Sequence, residues 1–221
     1  MEKMPYQEDA ETASPVAHAR VAPAQPNTTW RHGLPTLTGS QVILRELRFS
    51  DAPALFAAMS TAEVSCFISP PPATVEGFER FIAWAHRQRA AGRYICFAVV
   101  ARGSDAVIGL FQIRSLEPGF GTCEWGFAIA SEYWGTGMFT GGAELVLRFA
   151  FEVLGAHRLE ARAALRNGRG MGALRKMGAI QEGVLRRSLL RHGEYLDQGL
   201  WSIIAEDWLE AKAVWSSPLV H

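Results

Sequence analysis

A glycine-rich junction is the first stretch of the sequence whose residue types suggest chemistry. The segment EYWGTGMFTGG, residues 132–142, stands between the alternating run CEWGFAIA and the helix-like run AELVLRFAFEVL. The first turn of a helix leaves about four backbone N–H groups without partners and carries a partial positive charge. Glycines allow successive N–H groups to converge, and they have no Cβ that would block an anion. Gly135 and Gly137 therefore predict a site for a phosphate or pyrophosphate.

The same glycines also fit an ordinary tight turn, and the flanking sequence excludes two familiar nucleotide motifs. No Gly-Lys-Ser/Thr follows the loop, so it is not a P-loop. The surrounding pattern is rich in hairpins, which does not fit a dinucleotide-binding fingerprint. Gly141 and Gly142 lie inside the predicted helix. Phosphate binding does not explain them, and we expect them to allow close packing against the sheet.

The elements that position this loop alternate in a mixed pattern. Their predicted order is β-α-α-β-β-β-α-β-α-β-β, from the strand SQVILREL to a final hairpin around RHGE. Hairpins and crossovers occur together, which predicts an α+β fold with a mixed, mostly antiparallel sheet flanked by helices. We expect one domain over residues 37–208 and a C-terminal tail over 209–221. Residues 1–36 hold five prolines and few large apolar side chains, so they predict a flexible tail that packs in places through Trp30.

Composition excludes several classes of function. The 221 residues are 48% apolar and 20% charged, with a formal net charge of zero, so no global charge favours nucleic acid or a membrane. The longest apolar run, ICFAVVA, is far shorter than the roughly 20 residues that span a bilayer. The acidic N-terminus has no apolar signal region. Three widely spaced cysteines predict free thiols in a reducing compartment, with the cytoplasm as the default. The histidine spacing predicts no metal site.

A second motif makes the glycine loop more specific. In HRLEARAALRNGRGMGALRKMGAIQEGVLR, residues 157–187, a strand, an Asn, a helix and a Gly-terminated turn follow one another. Together the two motifs resemble the GNAT superfamily of acyl-CoA-dependent N-acyltransferases. Within it, the chain is similar to the RimJ/RimL branch of ribosomal-protein N-terminal acetyltransferases. The matching positions are Gly126–Ile129, Glu132–Gly137, His157–Ala161, Asn167, Gly170, Leu174, Lys176, Gly178 and Ala179.

This resemblance implies that acetyl-CoA is the co-substrate and assigns it a set of residues. The pantetheine arm would pair like an extra strand with Phe127, Ala128 and Ile129. The residues expected at the pyrophosphate are Trp134, Gly135, Thr136, Gly137, Met138 and Phe139, and those expected on the next helix are Asn167, Gly170 and Lys176. Arg169, Arg175 or Lys176 would meet the ribose phosphate, unless these cations form a solvated helix face.

The chain departs from the family pattern at three positions. Glu132 replaces an Arg or Gln, and Ala179 replaces an aromatic residue. Gly170 stands where relatives carry a Ser near the coenzyme thiol, so one expected hydrogen-bond donor is missing.

Acyl transfer to an amine also needs a neutral amine, a stabilised carbonyl oxygen and protonation of the leaving thiolate. Glu124 shares a strand face with Gly126 and Ala128, so it is a candidate base, or else a charge paired with Arg at the sheet margin. As the general acid that protonates the thiolate, the family often uses a Tyr after its second motif, but no Tyr lies on the Asn167 helix. Tyr195, in the last hairpin, is the remaining candidate.

The amine itself can be chosen by its pKa. A protein α-amine, with pKa near ~8, is roughly one tenth neutral at pH 7, whereas a Lys side chain is neutral in about one part in 2,500. An active site in which no base has been identified suits the α-amine better than the Lys side chain. We therefore favour an acetyl-CoA-dependent N-acetyltransferase in which a protein or peptide N-terminal α-amine, or a small amine, attacks the thioester directly. A coenzyme-A-binding sensor or scaffold is the alternative.

Relatives build the acceptor groove from the N-terminal helices and the last hairpin. In this chain those segments are Phe67–Pro72 and Arg186–Tyr195. The basic set Arg186, Arg187 and Arg191 would attract an acidic substrate, or it would belong to an exposed hairpin. Relatives are often homodimers, so a dimer is expected by analogy.

Overall fold

The computed structural model describes residues 28–216, with side chains through residue 210. Most of the predicted N-terminal tail, residues 1–27, lies outside the described part, as do residues 217–221. The described chain begins with a 3₁₀ turn, Thr29–Arg31, whose Trp30 is buried in the core. Its ring meets Phe120 edge-on at 5.4 Å between centroids.

One sheet holds all eight strands found in residues 28–216. The strands are β1 Leu37–Thr38, β2 Val42–Glu46, β3 Tyr94–Ala101, β4 Val107–Ser115, β5 Thr122–Ile129, β6 Arg158–Ala164, β7 Ile180–Arg191 and β8 Glu194–Ile204. Their spatial order is β1-β2-β3-β4-β5-β6-β8-β7. Every neighbouring pair is antiparallel except β5 and β6, which are parallel. The predicted mixed, mostly antiparallel sheet is confirmed.

Helices cover both faces of the sheet. They are α1 Ala52–Met59, α2 Ala62–Ser65, α3 Val75–Ala90, α4 Met138–Arg148, α5 Gly168–Lys176 and α6 Ala205–Ser216. Leu55 of α1 and Ile82 of α3 pack in one apolar cluster, while Val146 of α4 and Leu174 of α5 pack in a second on the opposite face. Residue 209, the predicted start of the C-terminal tail, falls inside α6. None of the helices within residues 28–216 is long and apolar enough to cross a membrane.

Helix α4 is the predicted helix that follows the glycine loop, and it continues into a second helical type before the chain turns. The α-helix is followed by a π-helical turn over Phe149–Val153, and the chain then turns at Gly155 with φ +72°. Gly142 lies against β4, where a Cβ would come within 2.5 Å of the Phe111 ring. Close packing on the sheet therefore explains Gly142, as predicted, but not Gly141, where a Cβ would meet only Val42 at 3.6 Å.

Strands β5 and β6 separate, and this separation makes the site. They pair only at Thr122–Glu124 of β5 with Arg158–Glu160 of β6, although both continue further. Beyond Glu124 one edge of β5 has no strand beside it, and the two strands diverge towards their carboxyl ends.

Candidate active site

A cavity of about 740 Å³ lies between the diverging ends of β5 and β6. Four segments surround it: the end of β5, the glycine loop with the start of α4, the first two turns of α5, and α2 with the two residues Phe67 and Ile68. All of the predicted coenzyme residues line this cavity except Thr136 and Met138. The structure therefore brings together the two motifs that lie about 30 residues apart in the sequence.

The free edge of β5 presents main-chain groups to the cavity. Ala130 donates its N–H to the Ile108 carbonyl of the β4 side at 2.8 Å. Because hydrogen-bonding direction alternates along an antiparallel pair, Phe127 and Ile129 direct their N–H and C=O groups away from β4. The Ile129 carbonyl accepts a hydrogen bond from Trp134 Nε1 at 2.8 Å. Phe127 is thus the residue best placed to pair with an extended ligand.

One predicted main-chain contact needs correction. Ala128 is opposite Leu110 in the register of β4 and β5, and the alternation directs its N–H and C=O groups towards β4. Ala128 therefore lines the cavity with its methyl group, and its backbone is not available to a ligand on the cavity side.

The glycine loop has the backbone geometry that an anion site requires. Gly135 has φ +77° and Gly137, the N-cap of α4, has φ +88°. The first helical hydrogen bond runs from the Gly141 N–H to the Gly137 carbonyl at 3.0 Å. The N–H groups of residues 138–140 precede that bond and point out of the helix end. Within the loop, Thr136 does not offer its N–H to an anion, because its hydroxyl and its N–H both donate to the Tyr133 carbonyl.

The start of α5 forms the opposite wall of the cavity. Asn167 caps this helix, and its Oδ1 accepts the Gly170 N–H at 2.8 Å. Its Nδ2 remains available to donate to a ligand. A Cβ at position 170 would lie 2.6 Å from that Nδ2, so Gly170 allows the cap to close tightly.

Two of the three candidate cations face the cavity. Arg169 and Lys176 lie seven positions apart on one face of α5, and both line the cavity. Arg175 points elsewhere, since its guanidinium lies over the Trp201 ring at 5.2 Å. The Arg169 guanidinium lies 4.2 Å from the centroid of the Trp134 ring, so a cation–π contact joins the two walls.

Neither predicted catalytic side chain reaches the cavity. Glu124 lies where β5 still pairs with β6, and it forms ion pairs with Arg114 and, at 3.9 Å, with Arg162. It matches the second interpretation, a carboxylate paired with Arg at the sheet margin. Tyr195 is 53% exposed and lies beneath the Arg187 guanidinium at 5.7 Å.

Tyr195 lines a smaller cavity of about 200 Å³ together with Asp197 and Arg166. In that cavity, Asp197 Oδ1 accepts the backbone N–H of Arg187 at 2.7 Å. Arg166 also lines the larger cavity, so it stands between the two.

Sequence patterns missed several cavity residues, and α2 is the clearest case. Its four residues are too few to show a helical period. Glu63 of α2 is the one carboxylate among the described residues that line the cavity, and it accepts a hydrogen bond from the Ser131 hydroxyl at 3.1 Å. Arg166 was also missed because it lies in the turn between β6 and α5. The helical spacing of Arg169, Gly172 and Ala173 would have revealed the cavity face of α5.

The basic set of the last hairpin does not form a common patch. Arg186 is exposed, Arg187 covers Tyr195, and Arg191 is buried. Joint attraction of an acidic substrate by these three side chains has no support in this arrangement.

Comparison with known proteins decides the class of this site. The acetyltransferase (GNAT) domain matches residues 41–180. The chain belongs to the GNAT acetyltransferase family. GNAT domains use acetyl-CoA, and this member is accordingly an acyltransferase that transfers an acetyl group from that co-substrate. Family membership favours the enzyme over a binding module without catalysis.

Relatives cover almost all of the described domain. The uncharacterized N-acetyltransferase YoaA of Bacillus subtilis strain 168 is 28% identical over 173 residues, which cover 77% of this chain and 97% of YoaA. A GCN5-related N-acetyltransferase from Brucella melitensis is 25% identical, with a TM-score of 0.70 over 83% of this chain and 86% of that one. Mycobacterium smegmatis RimJ, in complex with CoA-disulfide, shares the fold with a TM-score of 0.68 at 21% identity, over 77% and 89%.

The residues of this GNAT cavity fit acetyl-CoA. The amides at the start of α4 suit a pyrophosphate, the free main-chain groups of Phe127 suit an extended amide arm, and Arg169 and Lys176 suit a phosphate. All of these backbone and side-chain groups belong to this chain.

Proposed function

We propose that this GNAT enzyme acetylates a protein or peptide N-terminal α-amine, or a small amine of similar pKa, as expected for a RimJ/RimL-like member. One observation supports this acceptor class above all others. Among the residues that the structure describes, the cavity is lined by a single carboxylate, Glu63, and that carboxylate is hydrogen-bonded to Ser131. The other candidate base, Glu124, is held by two arginines outside the cavity.

A cavity with a single carboxylate, which already accepts a hydrogen bond from Ser131, favours an amine that is partly neutral before it binds. Roughly one tenth of an α-amine is neutral at pH 7, against about one part in 2,500 for a Lys side chain. The difference of about 250-fold in reactive amine corresponds to ~3 kcal/mol of barrier that a base would otherwise have to supply. The α-amine is therefore the acceptor that needs least from these residues.

The chain's own groups have distinct roles in this proposal. Bound acetyl-CoA supplies an activated acetyl group as a thioester. The main chain of Phe127 pairs with the pantetheine arm, and its N–H is the candidate donor to the acyl oxygen. The N–H groups of Gly137–Thr140 bind the pyrophosphate, and Arg169 and Lys176 bind phosphate charge. Asn167 donates from Nδ2 after its Oδ1 has capped α5.

Proton transfer in this proposal uses neither Glu124 nor Tyr195. The proton that leaves the attacking amine passes to water at the open end of the cavity, and the leaving thiolate is protonated from the same solvent. Gly170 provides no hydroxyl for that step, so solvent access at the sulfur takes the place of the Ser found in relatives.

A thiol-release assay with acetyl-CoA tests the proposal. The acceptors are a peptide with a free N-terminus and no Lys, the same peptide with a blocked N-terminus and one internal Lys, and a set of small amines. We expect release with the first peptide, at a rate that rises with pH towards the amine pKa near ~8. Much faster release with the blocked Lys peptide would contradict the acceptor class. Tight acetyl-CoA binding without turnover on any amine would contradict the enzyme's proposed reaction.

We also propose a cytoplasmic location and a homodimer, both as expectations to be tested. Cys66, Cys96 and Cys123 are free, and burial raises the pKa of the Cys96 and Cys123 thiols to about 12, which suits inert thiols in a reducing compartment. Light scattering of the purified chain measures the oligomeric state.

A further inference from the structure

The tip of the last hairpin is connected to both sides of the cavity mouth. Strands β7 and β8 meet at a two-residue turn, His192 and Gly193, with φ +48° and +79°. Two consecutive residues with positive φ form the tight turn whose twist matches that of a hairpin. The turn fixes Arg191 and Glu194 as a cross-strand pair at the end of the hairpin.

Arg191 connects this tip to α2. Its Nη2 donates to the Ser65 carbonyl at 2.6 Å, and its Nε donates to the Cys66 carbonyl at 3.4 Å. These carbonyls end the short helix α2 and carry its partial negative charge. The two residues that follow, Phe67 and Ile68, line the cavity. Arg191 therefore holds the segment from which the cavity's outer wall is built.

Glu194 connects the same tip to the opposite side. Its carboxylate forms a two-pronged ion pair with the Arg166 guanidinium, with 2.8 Å between each pair of atoms. Arg166 lines the cavity next to the N-cap of α5. The hairpin tip thus spans the mouth from the α2 wall to the α5 wall.

The two connections differ greatly in burial. Arg191 is 8% exposed, and within the part of the chain with described side chains its hydrogen-bond acceptors are carbonyls rather than a carboxylate. The side chains of Arg166 and Glu194 are 65% and 56% exposed. An exposed ion pair contributes little, whereas hydrogen bonds from a buried cation are strong and costly to lose.

We infer that Arg191 is a positioning residue for the amine acceptor, which acts by fixing the α2 wall through the Ser65 and Cys66 carbonyls. The inference rests on the proposed function. Helix α2 has four residues and cannot hold its own position, because a single helical turn is unstable without tertiary contacts. A wall that is fixed in advance lowers the ordering cost of binding a flexible amine substrate. Helix α2 meets the coenzyme side through the exposed hydrogen bond that Ser131 donates to Glu63, and the Arg191 contact lies at the other end of the helix.

Arg191→Met is the decisive variant. Met retains an apolar stem in the buried position and removes every donor, so it disconnects α2 with little change in packing. We expect the acceptor KM to rise about tenfold or more, since each factor of ten corresponds to about one strong hydrogen bond. The acetyl-CoA Kd, measured by calorimetry, should stay within about twofold. Arg191→Lys should recover part of the acceptor KM.

Glu194→Gln is the matched control on the other strand of the tip. Its acceptor KM should stay within about twofold of the wild type, because the ion pair is exposed. Equal KM values for Arg191→Met and Glu194→Gln would overturn the inference. Equal weakening of acceptor and acetyl-CoA by Arg191→Met would also overturn it, since that result describes a general structural role.

Hydrogen exchange separates this inference from the proposed function. If the wild type acetylates no amine, the proposed function fails, but amides 62–68 still report on the contact. Their exchange should be faster in Arg191→Met than in Glu194→Gln, with coenzyme A bound in both, and unchanged exchange would overturn the inference. If Arg191→Met does not fold, Arg191→Gln takes its place, because its shorter, uncharged amide cannot replace the two charge-assisted hydrogen bonds. Wild-type KM together with wild-type exchange in Arg191→Gln would also overturn the inference.

Discussion

The proposed coenzyme side and the proposed acceptor side of the cavity are built in different ways. The coenzyme side consists of two continuous stretches, residues 127–140 and 166–176, in which glycines, an N-cap and a strand edge act within a few residues of one another. The acceptor side depends on Arg191 and Ser65, which are 126 positions apart. Local backbone rules determine the first, and long-range packing determines the second. A substitution should therefore affect one side without affecting the other.

Gly135→Val should have the largest effect, because it breaks the coenzyme side alone. Position 135 has φ +77° and nothing within 4 Å of a Cβ, so the new side chain would strain the loop and project into the anion site. We expect the acetyl-CoA Kd to rise about 30-fold or more, ~2 kcal/mol. Calorimetry with acetyl-CoA measures it.

Gly119→Val controls for backbone strain. Gly119 has φ +95° and equally open space, but it lies in the turn between β4 and β5 at the far end of β5 from the cavity. Both variants should lose stability by ~1–3 kcal/mol in urea unfolding, while only Gly135→Val loses coenzyme affinity. A similar loss of affinity in both would show that the loop contributes nothing specific.

Gly142→Ala should have the next largest effect, on stability rather than on binding. Its methyl group would meet the fully buried Phe111 ring at 2.5 Å, and overpacking of this kind costs about 1–3 kcal/mol. Gly141→Ala, one position earlier in α4, meets only Val42 at 3.6 Å and should gain up to ~1 kcal/mol of helix propensity. Urea unfolding distinguishes them. Destabilisation by both would contradict the assignment of close packing to Gly142.

Arg169→Ala should weaken acetyl-CoA binding by about tenfold, ~1.4 kcal/mol, by removing a cation from the cavity. Its effect should shrink at high salt, because screening weakens the lost attraction. Arg175→Ala, on the same helix, removes a cation that covers Trp201 outside the cavity and should leave the Kd unchanged. Comparable losses from the two substitutions would mean that α5 acts only through its overall charge.

Glu182→Gln should have the smallest effect, because Glu182 lies at the base of the hairpin, away from the cavity, and pairs with Arg158. Hydrogen bonds from Arg158 and from the Ser202 hydroxyl lower the pKa of Glu182 to about 2. Its stabilisation is present above the unfolded carboxyl pKa near ~4.3 and is lost as pH falls towards 2. Because Glu182 is exposed, we expect less than about 1 kcal/mol. Urea unfolding from pH 6 to pH 2 should show a shallower acid loss in Glu182→Gln, and an identical pH profile would contradict this role.

Gly135, Gly137 and Asn167 show why the residues on the coenzyme side could be predicted from the sequence. Gly135 and Gly137 were predicted because glycine adopts a positive φ without steric cost, wherever it lies in the chain. Asn167 was predicted through the family motif as a coenzyme contact, and the structure shows that its cap bond lies within three positions. The hairpin turn at residues 192–193 was found because a tight turn depends on adjacent residues. In each case the physical cause is contained in a short window of the chain.

Glu124 and Tyr195 show why it failed to find the catalytic groups. Alternation along β5 gave the correct face for Glu124 but not its depth along the strand, and depth decides whether it meets the cavity or the arginines of neighbouring strands. Tyr195 was chosen by elimination among tyrosines. Its position depends on how the hairpin docks, which no local pattern contains.

The sequence by itself determined the order of the main strands and helices, the glycine loop, the final hairpin turn and the resemblance to GNAT acyltransferases, because each depends largely on neighbouring residues. Tertiary structure alone decided that β5 and β6 pair only up to Glu124, that Arg169 and not Arg175 faces the cavity, and that Arg191 is buried against α2. These outcomes depend on which surfaces meet between segments far apart in the chain, 126 positions apart for Arg191 and Ser65. Packing and the burial of charge select among side chains that look equivalent in the sequence.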